Sequence, residues 1–139
     1  MAARALYAYG TLMVPSIISL IVGRPLVGQP ARLLGYARFR ILDRVYPAIV
    51  EAPGGDVPGV LYPGIEEPEL SSLDTYEGAF YERRDLSVLV AGQATPASTY
   101  VLRDEHRSRL SNEPWDLARF ERDHLASYLA RVTETSRAP

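Results

Sequence analysis

Apolar positions along the chain switch between the period of a β-strand and that of a helix. Alternating or continuous apolar stretches bounded by turn residues predict strands over residues 5–11, 31–42, 46–51, 57–65, 81–90 and 97–102. In the fifth of these, Leu86, Val88 and Val90 share one face. Between the third and fourth, Pro53-Gly54-Gly55-Asp56 predicts a tight reversal, because glycine readily adopts the positive φ that such turns need.

Three other segments carry helical periodicity. Pro15 suits the first turn of a helix whose apolar face ends at Gly23. A second helix is predicted over residues 68–77, with acidic residues before it and Gly78 as its stop. The longest opens at Pro114 and runs to about residue 131, and the tail after about 132 is predicted to fray. Its amphipathic stripe consists of Leu117, Phe120, His124, Leu125, Tyr128 and Leu129.

The order of these elements bounds the fold class. The strands outnumber the helices and come in turn-linked groups instead of alternating strictly with helices. This order favours an α+β domain on a mixed, possibly closed sheet over a doubly wound one. A length of 139 residues suits a single domain over residues 1–139.

Composition removes several kinds of chemistry. The chain contains no cysteine, and all 15 basic residues are arginine. Disulfides, cysteine nucleophiles, Schiff-base lysines and the phosphate-loop lysine are therefore excluded. With two histidines, a multi-histidine metal centre is excluded as well. The net charge of −2 comes without a basic stripe, so nucleic acid is not an expected partner.

The N-terminal apolar stretch indicates neither a signal peptide nor a membrane span. The run over residues 12–22 contains Pro15 and two serines, and it is shorter than the roughly 20 residues that cross a bilayer. We therefore expect a soluble, cytoplasmic protein with no membrane partner.

Glu77 stands out within the second predicted helix. It lies seven positions after Leu70 and four after Leu73, so it continues the apolar stripe of that helix. Burial disfavours the ionised carboxylate, and so do the carbonyl dipoles at a helix C-terminus, so its pKa should exceed the ordinary value. The alternative is an ion pair with Arg83 or Arg84 at a partly exposed helix end. Spacing alone leaves both readings open.

A second candidate is Tyr9-Gly10-Thr11-Leu12, where the first strand meets the first helix. A glycine at this junction lets successive backbone amides point into one space, which is how proteins bind a carboxylate or a developing oxyanion. The alternative is a purely structural turn.

Other polar side chains favour structural roles. His124 lies on an apolar stripe and is predicted to be a core histidine, whereas His106 falls in a charged loop. Arg38, Arg40 and Arg44 alternate near a strand end and are predicted to line its solvent face.

Taken together, these segments resemble the γ-glutamylcyclotransferase-like family, and within it the AIG2-like branch. The likeness covers about residues 5–102. The pieces that carry it are Leu6-Tyr7-Ala8-Tyr9-Gly10-Thr11-Leu12, Leu34-Gly35-Tyr36, Tyr46-Pro47-Ala48-Ile49, Val57-Pro58-Gly59-Val60-Leu61-Tyr62, Leu73-Asp74-Thr75-Tyr76-Glu77-Gly78 and Tyr81-Glu82-Arg83.

The resemblance implies a small mixed sheet that closes into a barrel with flanking helices. It implies that the amides of Tyr9, Gly10, Thr11 and Leu12 bind the γ-glutamyl group and that Glu77 is the catalytic acid and base. The reaction releases 5-oxoproline and a free amine and needs no cofactor or metal. Further substrate-binding candidates in the matching pieces are Tyr46, Tyr81 and Arg83.

Two alternatives to this activity remain open. One is a family member that binds a small carboxylate or amide without turnover, since a protein can keep a fold without the catalytic activity found in its relatives. The other is a different cyclising or amide-cleaving activity. Glutathione, γ-glutamyl amino acids and γ-glutamyl amines all remain possible substrates, and no oligomeric state is predicted.

Overall fold

A computed structural model of the protein describes residues 4–137. Its strands are β1 Arg4–Ala8, β2 Gln29–Ile41, β3 Pro47–Ile65, β4 Tyr81–Val90, β5 Gln93–Leu102 and β6 Leu110–Pro114. Its helices are α1 Pro15–Val22, α2 Glu67–Glu77, α3 Leu117–Asp123 and α4 Leu125–Arg137. Short 3₁₀ turns occupy Thr11–Met13, Gly78–Phe80 and Asp104–Arg109. No helix in this described range is long and apolar enough to cross a membrane.

Five strands close into a barrel. They follow the order β3-β1-β5-β4-β2, and a further pairing of β2 with β3 completes the ring, while β6 adds to β2. The β1–β5 pair is parallel and the other pairs are antiparallel. The α+β class with a closed mixed sheet is thereby confirmed.

Two clusters of buried side chains divide the core between the inside and the outside of the barrel. One combines side chains from β1 to β5, among them Tyr7, Leu33 and Val88, and fills the interior. The other packs strand residues such as Leu6 against the four helices. Because successive residues of a strand face opposite ways, β1 serves both clusters with adjacent residues.

The predicted reversal at residues 53–56 is wrong. Both flanking segments belong to the single strand β3, which pairs with β2 on both sides of these residues, from Pro47 to Glu51 and from Asp56 to Leu61. The register runs from Leu34 opposite Asp56 to Tyr36 opposite Glu51, so the extra residues form a bulge. Gly54 has a φ of 81°. The positive φ that suggests a turn is therefore used by a bulge, which the long partner β2 can accommodate.

The bulge leaves no room for a side chain at Gly55. A Cβ at this position would lie 2.2 Å from the backbone oxygen of Tyr36. We expect Gly55→Ala to lower the free energy of unfolding by about 1–3 kcal/mol, because backbone must move to admit the methyl group. Urea unfolding measures the change. Val27→Ala, at a side chain that is 87% exposed, is the control and should stay within about 0.5 kcal/mol of the parent protein. Equal effects in the two variants would contradict the crowding.

The C-terminal region differs from the single helix predicted over about 114–131. Pro114 ends strand β6, whose residues pair with β2. The helix begins at Leu117 instead, because the side chain of Asp116 accepts a hydrogen bond from the Ala118 amide and caps it.

The predicted long helix is also broken at His124, which has a non-helical φ of −131° and separates α3 from α4. Phe120 and Tyr128 still meet across the break, with ring centroids 5.5 Å apart, so the apolar stripe is preserved. Helix α4 continues to Arg137, beyond the point where fraying is predicted. The last two positions of that predicted tail, 138–139, and the start of the predicted domain, 1–3, lie outside the described residues.

Candidate active site

Helix α2 carries the candidate carboxylate. Glu66 and Glu69 form a capping box at its N-terminus, and Gly78, with a φ of 77°, ends it. Leu70 and Leu73 are buried on the side that faces the core, as the spacing predicts. Glu77 occupies the last turn of the same side and keeps part of its surface open to a cavity.

The electrostatic setting of Glu77 favours its protonated form. Burial raises its pKa from an ordinary value of 4.5 to about 8, and the neighbouring Asp74 carboxylate adds to the rise. The alternative of an ion pair is wrong, since Arg83 binds Asp74 at 3.1 Å and Arg84 binds Glu82. No salt bridge found in residues 4–137 includes Glu77.

The Tyr9–Leu12 segment forms a sharp turn after β1. The strand ends at Ala8, earlier than the predicted Thr11, which begins a 3₁₀ turn instead. The first hydrogen bond of that turn runs from the Met13 amide to the Gly10 carbonyl, at 2.9 Å. The amides of Thr11 and Leu12 precede it in the chain, so the turn itself does not consume them. Glycine is needed at position 10, where a Cβ would lie 2.9 Å from Pro47 Cδ.

One small cavity brings these two features together. Its volume is about 50 Å³. The predicted site residues that line it are Tyr9, Gly10, Thr11, Leu12, Tyr46, Glu77 and Tyr81. Arg83 is not among them and lies in a neighbouring surface groove beside Asp74. The structure therefore assembles all the predicted residues except Arg83 around one space.

Five further tyrosines and threonines of the lining are absent from the predicted site residues. The hydroxyl of Thr11 bonds that of Tyr76 at 2.8 Å, and Tyr76 in turn bonds the hydroxyl of Tyr128 from α4. Tyr100 donates to Asp74 Oδ1 at 2.6 Å. Tyr7 and Thr99 complete this part of the wall. Tyr76 adjoins Glu77 in the sequence, but only the packing of the helices shows that Tyr128 reaches the cavity.

Tyr9, Tyr81 and Tyr100 remain hydrogen-bond donors at neutral pH. Burial raises the pKa of Tyr9 well above its ordinary value, and the nearby Glu77 carboxylate adds to the effect. Burial is also the main cause of the raised pKa values of Tyr81 and Tyr100. The hydroxyl of Tyr81 donates to the Pro47 carbonyl at 2.7 Å, and that of Tyr9 donates to the Tyr100 carbonyl at 2.6 Å. These bonds fix the walls around the carboxylate.

Arg38 supports the turn from behind, in contrast to its predicted place on a solvent face. Its Nη1 donates to the Tyr9 carbonyl at 2.8 Å and to the Pro58 carbonyl at 3.1 Å. The guanidinium also stacks over the Trp115 ring, 5.2 Å from its centroid. Arg38 thereby ties the turn to β3 and to the segment before α3.

We expect Arg38→Met to lower the free energy of unfolding by about 1.5–3 kcal/mol, because two carbonyl oxygens lose a charged donor. Methionine retains most of the apolar stem. Thermal and urea unfolding measure the loss. Arg44→Met is the matched control, since Arg44 is exposed and bonds the carbonyl of its neighbour Asp43. A loss as large in the control would show that Arg38 contributes nothing special.

The closed mixed barrel with flanking helices is the fold of the γ-glutamyl cyclotransferase class of proteins. The family model for "Gamma-glutamyl cyclotransferase, AIG2-like" matches residues 6–117 of this chain. The chain therefore belongs to that family. Helix α4, with Tyr128, lies beyond the matched residues.

Individual relatives agree with this assignment. AIG2-like protein D from Arabidopsis thaliana is 31% identical, over 94% of this chain and 87% of the relative. A solution structure of another Arabidopsis thaliana protein is 26% identical, has a TM-score of 0.73 and covers 97% of this chain and 82% of its own. A solved γ-glutamyl cyclotransferase is 17% identical, with a TM-score of 0.68 over 94% of this chain and 86% of its own, and shares the fold.

Proposed function

We propose that the protein is a cofactor-independent γ-glutamylcyclotransferase-like enzyme, which cyclises the γ-glutamyl group of a small amine, peptide or amino acid conjugate to 5-oxoproline. The observation that carries this proposal is Glu77. Burial raises the pKa of its carboxyl group to about 8, and the group lines the same cavity as the Tyr9–Leu12 turn. A carboxylate without an ion pair on an otherwise apolar helix face costs stability, which is typical of a functional group.

The turn supplies the binding groups. The amides of Gly10, Thr11 and Leu12 would receive the α-carboxylate of the γ-glutamyl group or the oxyanion that forms at its γ-carbonyl. Donors held rigidly by the chain stabilise such charge better than water does, because they need not reorganise during the reaction. The bonds from Arg38 and Tyr62 to backbone oxygens of this segment keep it in place.

The reaction uses a nucleophile that the substrate itself provides. The α-amine attacks the γ-carbonyl carbon, a ring C–N bond forms, and the bond to the leaving nitrogen breaks. Glu77 takes a proton from the attacking nitrogen and delivers one to the leaving nitrogen, so the carboxyl group returns to its starting state. Holding the amine and the carbonyl at near-attack distance supplies several kcal/mol of the barrier reduction.

The residues present suit this division of labour. The cavity lining contains no cysteine, lysine or histidine, so the protein offers a proton carrier and hydrogen-bond donors. Tyr46 and Tyr81 would border the bound γ-glutamyl group. Arg83, which binds Asp74 outside the cavity, would act on Glu77 through Asp74.

The test is a panel of γ-glutamyl compounds assayed for 5-oxoproline and the matching free amine. The panel should contain γ-glutamyl amino acids, γ-glutamyl amines and glutathione. Equimolar release of both products from at least one compound supports the proposal. Stabilisation against heat by a γ-glutamyl compound, with no product released, would instead indicate a binding protein and overturn it.

A further inference from the structure

The cavity around Glu77 is too small for the substrate that its chemistry suits. It measures about 50 Å³. A water molecule needs roughly 10–15 Å³ of such space, so a handful of waters fills it. A γ-glutamyl group with its leaving amine requires more. A wall must therefore move or open when the substrate binds.

Two tyrosines separate this cavity from a much larger groove. Tyr76 and Tyr128 line the cavity and also a groove of about 680 Å³ between α1, α2 and α4. The groove is largely apolar, and its other lining side chains include Leu20, Ile21 and Val132. Leu20 and Ile21 are half-buried, so their apolar surface is accessible from this side.

The hydrogen bonds that hold Tyr76 and Tyr128 in this wall can be broken at low cost. Thr11, Tyr76 and Tyr128 bond one another through side-chain hydroxyls, and water or substrate can replace those bonds. The opposite wall consists of Tyr81 and Tyr100, which also border the groove that contains Arg83. Both are buried, and moving Tyr81 would strip a buried carbonyl of its donor. The Tyr76–Tyr128 side is therefore the one that can open at the lower cost.

We propose that the leaving group of the substrate passes between Tyr76 and Tyr128 into this groove and that it carries an apolar side chain. This inference rests on the proposed cyclotransferase activity and names its substrate class. Apolar groups gain about 25 cal/mol for each Å² removed from water, and the half-buried Leu20 and Ile21 provide apolar surface for such contact. Tyr128 then acts as a specificity-determining residue, supplied by a helix outside the family-matched segment.

Three dipeptides with the same backbone test the proposal: γ-glutamyl-glycine, γ-glutamyl-leucine and γ-glutamyl-glutamate. Arg131 also lines the groove and lies over the Tyr128 ring, so it can attract the α-carboxylate that all three compounds share and also the side-chain carboxylate of the glutamate compound. The leucine and glycine compounds carry the same charge, so their comparison isolates the apolar contribution, and the glutamate compound shows the effect of a charged side chain at the same place. We expect kcat/KM to be at least tenfold higher for the leucine compound than for the glycine compound. Equal values, or a preference for glycine, would overturn the inference.

A groove-filling variant gives the second arm. Thr75 is exposed on α2 and lines the groove, whereas Ser71 is exposed one turn earlier on the same helix and does not line it. Thr75→Trp should raise KM for γ-glutamyl-leucine about tenfold and change the glycine compound less than twofold. Ser71→Trp should change neither compound, and identical behaviour of the two variants would count against the groove.

The two proposals fail in different ways. If all three compounds yield 5-oxoproline without preference and Thr75→Trp leaves KM unchanged, the groove assignment is wrong, whereas the proposed cyclotransferase activity is supported. If no γ-glutamyl compound yields 5-oxoproline, both are wrong.

Discussion

Glu77→Gln is expected to lower the rate of 5-oxoproline release by about 10²–10⁴-fold, the usual contribution of a positioned acid or base. Glutamine keeps the shape and hydrogen-bonding reach of the side chain but cannot carry a proton between the attacking and leaving nitrogens. The measurement is kcat/KM for the best substrate of the panel. Glu121→Gln, at an exposed position on α3, is the matched control and should retain the parent rate.

The variant should keep its fold and gain stability. The folded protein holds a proton on Glu77 up to a pH of about 8, whereas the unfolded chain releases it near pH 4.3. The folded state therefore binds more protons between these values, and the free energy of unfolding of the parent protein falls as the pH rises through this range. The Glu77→Gln variant has no carboxyl group to titrate at this position, so its free energy of unfolding does not fall in this way. A variant that unfolds on substitution, or full activity in a folded variant, would contradict the assigned role.

The second large effect is the pH dependence of the reaction. Glu77 must be ionised to accept a proton, and its pKa in the empty site is about 8. We expect kcat/KM to rise about tenfold per pH unit and to level near pH 8, so that the value at pH 6 is about a hundredfold below the plateau. A profile already flat from pH 5 upward would show that the carboxyl group has an ordinary pKa or takes no part.

Asp74→Asn isolates one cause of that profile. Burial is the larger cause of the raised Glu77 pKa and the Asp74 carboxylate the smaller one, so the midpoint should move to lower pH and remain above 4.5. The tyrosines facing Glu77, which are Tyr9, Tyr76, Tyr81, Tyr100 and Tyr128, stay neutral in this range and do not compete. An unchanged midpoint would exclude Asp74 as a tuning residue.

The spacing of apolar residues in the sequence was sufficient to predict the helix that carries Glu77 and the strand that follows it. The bounds of β4 and the face of α2 that bears Glu77 follow from spacing, because buried neighbours repeat with the period of the element. The glycines at 54 and 55 mark a real need for unusual backbone, yet nothing local distinguishes a bulge from a reversal. That distinction depends on β2, which is long enough to pair with both halves of β3.

The parts of the site that the sequence did not predict depend on residues that are far apart in the chain. In the sequence, Arg38 alternates with other arginines, which predicts an exposed face, and only the Tyr9 carbonyl and the Trp115 ring give it partners away from solvent. Tyr128 lies on a helical stripe that indicates core packing, and it packs against Phe120 as such. Its hydroxyl reaches the cavity because α4 packs beside α2 and brings it to the Tyr76 hydroxyl, a contact that periodicity does not reveal.

The position of Tyr128 on the last helix has a consequence for how the protein is made. Chains are synthesised from the N-terminus, and early elements can fold while later ones are still being added. The strands β1 to β5 are all complete by Leu102, well before α4 emerges. A growing chain can thus close its barrel and bring Glu77 to the glycine turn while one side of the site is still open to water. The final helix, which adds Tyr128, then completes the wall on that side.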